Sequence, residues 1–497
     1  MKKNKISTLA IANRGEVAVR IIRACQEMGI STVLLHSEAD IKTRAYRLAD
    51  KTICIGAAPT SESYLNIEKN IDGAIAGGAQ AVHPGFGFLS ENADFAAACE
   101  KAGLIFVGPT SHSIRTLGDK VSSKEIAMKN NIPLIPGYQG ENQNVNHLVS
   151  EAIQMGFPVI VKAAAGGGGR GMKVITTAEE AVELIESAQR EAQAAFGSPK
   201  VFLEKYLNKA KHIEFQIFAD ASGQVRHLFD RECSVQRRHQ KIIEEAPSPS
   251  LSNELREQMG AAAVKLVSAV GYRGAGTVEF LLQDGKYYFL EMNTRLQVEH
   301  PVTEMILNID LVKAQIHTAQ GDPVFSELSK NAAQSIRGHS IECRLYAENP
   351  YLGGIPSTGL LGAMKWPEGF GRRFEYGFEE GDEVTPYYDS MIAKLIVWDE
   401  DRNKAILKML RVLKETILFG VYTNIPLLSQ IISHPEFVNG TMTTRFFDEN
   451  FSDPLKTVEP TNEDKMFFDH VTRQLSVKEN SVNCVEHNPW FGHWRNS

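Results

Sequence analysis

Cysteine is scarce in this sequence, and its few copies lie far apart. Only six cysteines occur in 497 residues, and no two of them form a Cys-x-x-Cys pair. This excludes a zinc ribbon and a disulfide framework, and it favours a reducing compartment. Long apolar runs are also missing: none approaches the roughly 18 residues of a membrane span, and the apolar stretch 9–12 is too short for a signal peptide. We expect a soluble, cytoplasmic protein that makes no use of a membrane.

An excess of basic residues is missing as well. Lysine and arginine number 53 against 60 aspartates and glutamates, which gives a formal net charge of −7. Such a chain lacks the general positive surface that binding to a nucleic-acid backbone requires, so no nucleic-acid partner is expected. Apolar residues make up 43% and charged residues 23% of the sequence, which is typical of a folded protein. The length predicts about three domains.

The start of the chain alternates strands with helices but lacks a dinucleotide fingerprint. Residues 9–12 read as a buried strand, and apolar residues at helical spacing follow as far as Gly29. Similar units continue to about residue 109, which predicts a mainly parallel, Rossmann-like sheet. The first strand-to-helix turn contains one glycine, Gly15, where a nicotinamide or flavin enzyme has Gly-x-Gly-x-x-Gly. A dinucleotide-dependent enzyme is therefore disfavoured.

A glycine-rich loop lies between two predicted strands, 156–162 and 174–175. Its sequence is GGGGRG at 166–171, without the Gly-Lys-Ser/Thr that ends a P-loop. Backbone N–H groups of such a loop can close over a polyphosphate, and Arg170 and Lys173 add positive charge. The preceding strand ends in Lys162, and a lysine in a buried strand would be costly without a partner, which favours a nucleotide. The alternative is a mobile surface loop with no ligand.

Two predicted strands, 276–280 and 287–293, are joined by an Asp-Gly turn and carry acidic residues in apolar surroundings. Glu279 and Glu291 would be costly there without partners. Together with the side-chain oxygen of Asn293 they would form a hard oxygen site for Mg²⁺ carrying phosphates. The alternative is a pair of carboxylates in structural salt bridges.

Polar residues crowd the segment directly after these strands. In NTRLQVEHP at 293–301, Arg295 offers charge, Gln297 a hydrogen bond and Glu299 a base for a small anionic substrate. The stretch 230–241 is the densest basic cluster of the chain. Because aromatic residues are not interleaved there, a polyphosphate or bicarbonate pocket is favoured over nucleic-acid binding.

Several long motifs occur in one order along the chain. They are IANRGE at 11–16, HPGFGFLSEN at 83–92, GDK at 118–120, the glycine loop, the basic stretch 231–241, EMNTRLQVEHP at 291–301 and ECR at 342–344. On these motifs the chain resembles the biotin carboxylases, members of the ATP-grasp superfamily, from about residue 7 to about residue 450. The resemblance implies an α/β fold with four parts: a Rossmann-like pre-ATP-grasp domain at 1–115, an ATP-grasp domain at 116–335 with a mobile glycine-loop lid at about 135–205, an α+β C-terminal domain at 336–450, and an extension at 451–497.

The same resemblance assigns residues to nucleotide and metals. Two ions, Mg²⁺ or Mn²⁺, would lie on Glu279, Glu291 and Asn293. The residues that would bind ATP are Lys120, Lys162, Gly168, Gly169, Met172, Glu204, Lys205, Tyr206, Leu207, His212, Gln236, His239, Glu279 and Glu291.

It also assigns the one-carbon substrate and the acceptor. Bicarbonate would be bound by Lys241, Arg295, Gln297, Val298 and Glu299, with Glu299 removing its proton. Arg344 would stabilise the enolate of biotin. The family usually has tyrosine where this chain has Phe86, so a polar contact with biotin is lost at that position.

The implied reaction is the ATP-dependent carboxylation of carrier-bound biotin through carboxyphosphate, the first half-reaction of a multisubunit carboxylase. The sequence contains no evident carrier or transferase domain, so a biotin carboxyl carrier protein and a carboxyltransferase subunit are expected as partners. Arg20 and Arg23 resemble positions at the family's homodimer interface, and the alternative is that they are solvated charges on the first helix. The Ala-Met-Lys sequences ending at Lys129 and Lys365 are not expected to carry biotin, because neither lies in a small all-β domain.

Two other functions compete with this hypothesis. One is a different ATP-grasp ligase, such as a carbamoyl-phosphate-type synthase, against which the ECR motif with Arg344 argues. The other is a nucleotide-binding scaffold without turnover, against which the presence of Lys241, Arg295 and Glu299 argues.

Overall fold

The computed structural model describes residues 5–163, 172–238, 240–325, 336–456 and residue 466. They belong to two compact units. The first is drawn from Met1–Ser123, His212–Glu279 and Glu291–Ser497, and the second from Lys124–Lys211 and Phe280–Leu290. Gly168, Gly169 and His239 lie outside the described residues, as does most of the stretch 451–497. No helix among the described residues is long and apolar enough to cross a membrane.

The first unit begins with the parallel sheet that the alternating pattern predicts. Its five strands are paired in the order β3-β2-β1-β4-β5, and every pair is parallel. The strands are β1 Thr8–Ile11, β2 Ser31–Ser37, β3 Lys51–Gly56, β4 Ala81–His83 and β5 Ile105–Phe106. The helices that follow or connect them are α1 Gly15–Glu27, α2 Arg44–Leu48, α3 Ile67–Gly77, α4 Ala93–Lys101, α5 Ser111–Gly118 and α6 Lys120–Lys129.

A small antiparallel sheet forms the second unit. Its strands are paired in the order β6-β9-β7-β8, and they pack with two helices over a core that includes Val161, Ile185 and Leu203. The elements are β6 Gly137–Tyr138, α7 Val145–Met155, β7 Val159–Ala163, β8 Lys173–Ile175, α8 Ala178–Phe196 and β9 Val201–Lys205.

The second sheet of the first unit supplies most of the candidate site. It has eight strands in the order β14-β13-β10-β11-β12-β15-β22-β20. Residues 280–290, at the turn of the β13–β14 hairpin, belong to the second unit. The strands are β10 Lys211–Ala219, β11 Val225–Arg237, β12 Gln240–Ala246, β13 Gly274–Gln283, β14 Lys286–Asn293, β15 His339–Tyr346, β20 Arg372–Tyr376 and β22 Met391–Asp399.

Helices and short strands complete the fold. The helices are α9 Asn253–Ser268, α10 His300–Leu307, α11 Leu311–Gln320, α12 Arg402–Glu415, α13 Ile425–Ser433, α14 Pro435–Val438 and α15 Phe446–Asn450. The short strands are β16 Glu348–Asn349, β17 Ile355–Pro356, β18 Gly359–Leu360, β19 Ala363–Lys365, β21 Glu383–Val384 and β23 Ile417–Phe419. The expected α/β fold is confirmed.

The eight-stranded sheet explains why the described chain forms two units where the length predicts about three. Strand β12 of the predicted middle domain pairs with β15 of the predicted C-terminal domain, for example Glu244 with Glu342. Backbone hydrogen bonds therefore run continuously across that sequence boundary. The boundaries near 115, 335 and 450 stay predictions.

Antiparallel register places charged residues in one row across the C-terminal part of this sheet. Arg344 on β15 is directly opposite Lys394 on β22, and Lys394 is directly opposite Glu375 on β20. Directly opposite residues project their side chains to the same face. The sheet therefore gathers cations and carboxylates on one face.

Candidate active site

Lys241 on β12 is the centre of the site. Its ammonium group contacts three buried carboxylates, with Nζ 2.5 Å from Glu214 Oε2, 2.9 Å from Glu279 Oε1 and 2.7 Å from Glu299 Oε1. Burial alone would lower the pKa of Lys241, but these carboxylates outweigh it and raise the pKa well above its ordinary value. The lysine is therefore permanently charged. It brings the predicted base together with one predicted metal ligand.

Glu299 lies between two cations. One carboxylate oxygen contacts Lys241, and the other is 3.0 Å from Nη2 of Arg344. Burial would raise the pKa of Glu299, but Lys241, Arg344 and the more distant Arg231 hold it well below its ordinary value. In this state Glu299 is ionised and a weak base. An anion that takes the donors of Lys241 or Arg344 would make it a stronger one.

A second glutamate positions Arg344. The guanidinium Nε is 2.6 Å from Glu244 Oε1, and both residues are buried. Burial raises the pKa of Glu244 to about 7, with Arg344 acting against the rise and Glu299 adding to it. Arg344 thus bridges Glu244 and Glu299, and these two contacts fix the orientation of its guanidinium group.

Arg295 has separate partners. Its Nε lies 2.7 Å from Glu91 Oε2, and its Nη2 lies 3.1 Å from the side-chain oxygen of Asn293. Burial acts to lower the pKa of Arg295, but Glu91 outweighs it and raises the pKa. Gln297, two residues on, donates to Glu279 Oε1 at 3.3 Å. The structure therefore brings the predicted substrate residues and Glu279 into one connected set.

A cavity of about 470 Å³ opens beside this set within the first unit. Arg344, Arg295 and Val298 line it together with the ring of Phe86. Its other lining residues are Asn13, Arg14, Gly15, Glu16, Val17, Thr60, Gly87, Phe88, Gln240, Tyr346, Tyr387, Tyr388, Asp389 and Met391. The cavity thus combines aromatic walls with charged and polar groups that can orient a small ligand. Both residues predicted for biotin, Arg344 and Phe86, face the same cavity.

The predicted metal ligands are only partly grouped. Glu279 contacts Lys241 and lies 3.1 Å from His212 Nε2, and Asn293 Nδ2 donates to Glu279 Oε1 at 2.9 Å. Glu291 is partly exposed and pairs with Lys120 at 3.1 Å. Among the described residues, the groups that could hold a metal ion include His212, Glu214 and Glu279 but not Glu291. Carboxylate and amide oxygens suit Mg²⁺, so the predicted set fits the ion chemically. Its assignment stays a prediction.

Residues expected to meet the nucleotide have defined partners in each unit. In the first unit, Gln236 Nε2 lies 3.0 Å from His212 Nδ1. In the second unit, the Glu204 carboxylate forms ion pairs with Lys124, at 2.6 Å, and with Lys162. These contacts hold Glu204 ionised: burial acts to raise its pKa, but Lys162 and Lys124 lower it overall.

The strand end after Glu204 is fixed by backbone bonds in the second unit. The N–H groups of Lys205 and Tyr206 donate to the carbonyls of Pro136 and Pro158. Of the other predicted residues there, Leu207 is partly buried and Met172 is exposed. ATP binding by these residues stays a prediction.

Some residues of the site were not found from the sequence. Glu214 contacts both Lys241 and the fully buried Arg231, Glu244 holds Arg344, and Lys394 donates to the Val298 carbonyl. Each is a charged residue inside an apolar strand. That pattern signals a partner, but it does not say which distant strand supplies it.

Family models match three consecutive ranges of the chain. The biotin carboxylase N-terminal domain matches residues 5–114, the ATP-binding domain of the carbamoyl-phosphate synthase L chain matches 119–326, and the biotin carboxylase C-terminal domain matches 342–449. The site and the central match define an ATP-grasp ligase. The matches on either side point to one family within that class.

Similar proteins agree with these matches. Biotin carboxylase 1 of Bacillus subtilis is 48% identical over 446 residues, which is 89% of this chain and 98% of that protein. Methylcrotonoyl-CoA carboxylase subunit alpha of Dictyostelium discoideum is 48% identical over 468 residues. The match covers 94% of this chain and 66% of that longer protein.

A solved structure is also similar. The biotin carboxylase domain dimer of Hydrogenobacter thermophilus 2-oxoglutarate carboxylase, in complex with MgADP, ADP and bicarbonate, has a TM-score of 0.81 at 44% identity. The match covers 90% of this chain and 98% of that one. The chain belongs to the biotin carboxylase family. The resemblance that the sequence motifs indicate is confirmed, and with it the class of ATP-dependent ligase.

Proposed function

We propose that this chain carboxylates biotin on a carrier protein, using ATP and bicarbonate, with Glu299 as the base. The observation that carries the proposal is the position of Glu299. Its carboxylate lies between Lys241 and Arg344, and Arg344 also lines the cavity that contains Phe86. A base, two cations and an aromatic-walled cavity are what deprotonation of a small anion and capture of a flat heterocycle require.

The resting contacts suggest how the base is activated. Bicarbonate is an anion, so it competes with Glu299 for Lys241 and Arg344. When these donors turn to the substrate, the factors that hold the pKa of Glu299 low are weakened. The carboxylate then accepts the bicarbonate proton, and the deprotonated substrate is left beside Lys241, Arg295 and Gln297. The backbone of Val298 contributes to the same bicarbonate site.

Activation of bicarbonate requires phosphoryl transfer from ATP, giving carboxyphosphate and ADP. Divalent ions bound by Glu279, Glu291 and Asn293 would neutralise charge on the phosphoryl oxygens. Within the chain, Lys120 and Lys162 supply positive charge for the phosphates, and Glu204, Lys205 and Leu207 are assigned to the adenine. Carboxyphosphate yields CO₂ and phosphate. The released phosphate accepts the ureido N–H proton of biotin, Arg344 stabilises the negative oxygen of the resulting enolate, and the ureido nitrogen attacks CO₂.

Partners are proposed on the same basis. The reaction needs a biotinylated carrier, and the carboxyl group needs a carboxyltransferase to accept it. A homodimer is supported by the similar Hydrogenobacter domain, whose crystal structure is of a dimer. At the predicted interface Arg23 is exposed, whereas Arg20 is buried and pairs with Glu304 at 3.1 Å and Asp310 at 2.7 Å. Arg20 is therefore not a solvent-exposed charge on α1.

A cytoplasmic location and the domain boundaries are likewise proposed. The five cysteines in the described residues are all free, which suits a reducing compartment. The boundaries 1–115, 116–335 and 336–450 are supported by the ranges of the three family models.

The test is a bicarbonate-dependent ATPase assay with free biotin. We expect ADP release that requires bicarbonate and rises with biotin. An ATPase indifferent to biotin would support the carbamoyl-phosphate-type alternative, and ATP binding without hydrolysis would support a scaffold.

A further inference from the structure

Lys394 is a completely buried cation in the middle of β22. A buried ammonium group is costly unless partners surround it. Here Nζ donates to the carbonyl oxygen of Val298 at 2.9 Å and forms ion pairs with Glu375 at 2.7 Å and Glu16 at 3.3 Å. One hydrogen bond and two ion pairs thus surround the ammonium group. Two of these partners, Val298 and Glu16, line the cavity.

The carbonyl that Lys394 holds belongs to the peptide group joining Val298 to Glu299. A peptide group is planar, so a fixed carbonyl fixes the direction in which the chain enters the next residue. That next residue is Glu299, which occupies the N-cap position of α10 without a side-chain capping bond. The position of its Cα therefore depends on the contact made by Lys394.

Lys394 and Arg344 act on the same segment from adjacent strands. They are directly opposite in the antiparallel pair β15–β22. Arg344 contacts the side chain of Glu299, and Lys394 contacts the backbone immediately before it. Two like charges placed opposite each other repel. The carboxylates Glu244 and Glu375 offset that repulsion, one beside each cation.

We propose that Lys394 is a positioning residue for carboxylation: by holding the Val298 carbonyl, it places the Glu299 carboxylate between Lys241 and Arg344. The inference rests on the proposed role of Glu299 as the base. Lys394 itself touches neither nucleotide nor bicarbonate in this account. Its effect reaches the reaction through the Val298–Glu299 peptide.

A purely structural role makes a different prediction. If Lys394 only neutralised Glu375 and Glu16, its removal would lower stability and leave the kinetics of the folded enzyme unchanged. If it positions Glu299, the folded variant should be impaired specifically toward bicarbonate, because displacement of a catalytic group by about 1 Å can cost roughly 100-fold.

The test is Lys394→Met, assayed as bicarbonate-dependent ATPase with free biotin. We expect kcat/KM for bicarbonate to fall roughly 10- to 100-fold, with KM for ATP within about twofold of wild type. The matched control is Lys408→Met. Lys408 also pairs with a carboxylate and carbonyls, Asp399 at 3.0 Å and Trp398 O at 2.8 Å, but outside the site. It should keep wild-type bicarbonate kinetics.

A second variant covers the case in which Lys394→Met does not fold. The double variant Lys394→Met/Glu375→Gln removes the charge of both partners, which is far less costly than leaving one charge buried alone. It should fold and show the same loss toward bicarbonate. Wild-type kcat/KM for bicarbonate in either folded variant would overturn the inference. Failure of both to fold would overturn it too, because Lys394 would then act through stability.

Glu299→Gln, measured alongside, separates this inference from the proposed function. If Glu299→Gln is inactive and Lys394→Met is fully active, Glu299 remains the base and the positioning role of Lys394 is rejected. A fully active Glu299→Gln removes both, because Lys394 would then have no base to position.

Discussion

Glu244 and Glu342 are directly opposite each other on neighbouring antiparallel strands, and both are completely buried. Glu244 holds Arg344, whereas no hydrogen bond within the described residues reaches either side-chain oxygen of Glu342. Burial raises the pKa of Glu342 well above its ordinary value, and Glu244 adds to the rise. Burial therefore favours the protonated form of Glu342, and Glu244 is the member of this pair that a cation holds.

The first prediction concerns stability and pH. The pKa of Glu244 is raised from 4.5 to about 7 in the folded protein. A raised pKa gives a stability contribution that is complete below about pH 4.5 and is lost as the pH rises through 7. Glu244→Gln avoids this loss. Its melting temperature relative to wild type should therefore rise between pH 5 and pH 7 and level off above that, as measured by thermal unfolding at constant ionic strength.

Glu375→Gln is the contrasting variant for that measurement. Burial acts to raise the pKa of Glu375, but Arg373 and Lys394 hold it well below its ordinary value. Its contribution is thus present above the unfolded pKa and is constant from pH 5 to pH 8. A difference between Glu244→Gln and wild type that stayed constant or shrank over this range would show that Glu244 is ionised throughout.

The second prediction concerns Arg344. Arg344→Ala removes one of the cations that line the cavity and leaves Glu244 and Glu299 without its guanidinium group. Carboxybiotin formation should fall by at least about 100-fold, the usual loss when a charge-stabilising donor is removed. The dissociation constant for ATP, measured by calorimetry, should stay nearly unchanged.

Arg402→Met is the matched control for Arg344→Ala. Arg402 pairs with Glu245, the residue next to Glu244, at 2.6 Å. Successive side chains of a strand point to opposite faces, so this pair lies away from the site. The control should lose stability but keep its rate of carboxylation. Carboxybiotin formed at the wild-type rate by Arg344→Ala would contradict the role of Arg344.

The third prediction concerns Phe86, where the family usually has tyrosine. Its ring lines the cavity together with Arg344. Phe86→Tyr adds a hydroxyl group to this wall, and one hydrogen bond is worth about 1 kcal/mol. We expect KM for free biotin to fall about fivefold, with KM for ATP unchanged. An unchanged or higher KM for biotin would mean that the ring does not face the ureido group.

The fourth prediction concerns Lys162 in the second unit. It shares Glu204 with Lys124 and is one of the two lysines assigned to the ATP phosphates. Lys162→Met should raise KM for ATP about tenfold or more and leave KM for bicarbonate unchanged. Lys200→Met is the control, because Lys200 pairs only with the exposed Glu141 among the contacts described. Equal KM values for ATP in both variants would remove Lys162 from the nucleotide site.

Much of the fold could be predicted because it depends on local patterns. The strand at 9–12, the helix that ends before Gly29 and the hairpin across the Asp-Gly turn are read from apolar spacing and turn residues. The structure has them as β1, α1 and β13–β14. The eight-stranded sheet could not be predicted in this way, because pairing of β12 with β15 joins residues about 100 positions apart.

The residues of the site are likewise of two kinds, those that a local sequence pattern marks and those that only the folded structure brings together. Arg295, Gln297 and Glu299 crowd one short segment, so their sequence alone marks them as functional. Glu214 and Lys394 are single charges in apolar strands, and only the folded sheet shows that they reach Lys241 and the Val298 carbonyl. The sequence predicts Glu291 as a metal ligand, but in the structure it pairs with Lys120. That pairing depends on where α6 begins, which the sequence does not indicate.

The most direct test of the account is transfer of labelled carbon from bicarbonate to free biotin, with ATP and Mg²⁺ present. We predict that the wild-type chain forms labelled carboxybiotin, that omission of ATP abolishes it, and that Glu299→Gln lowers its rate by at least about 100-fold. Labelled carboxybiotin formed by Glu299→Gln at the wild-type rate would contradict the assignment of the base. Its absence from the folded wild-type chain would contradict the proposed function itself.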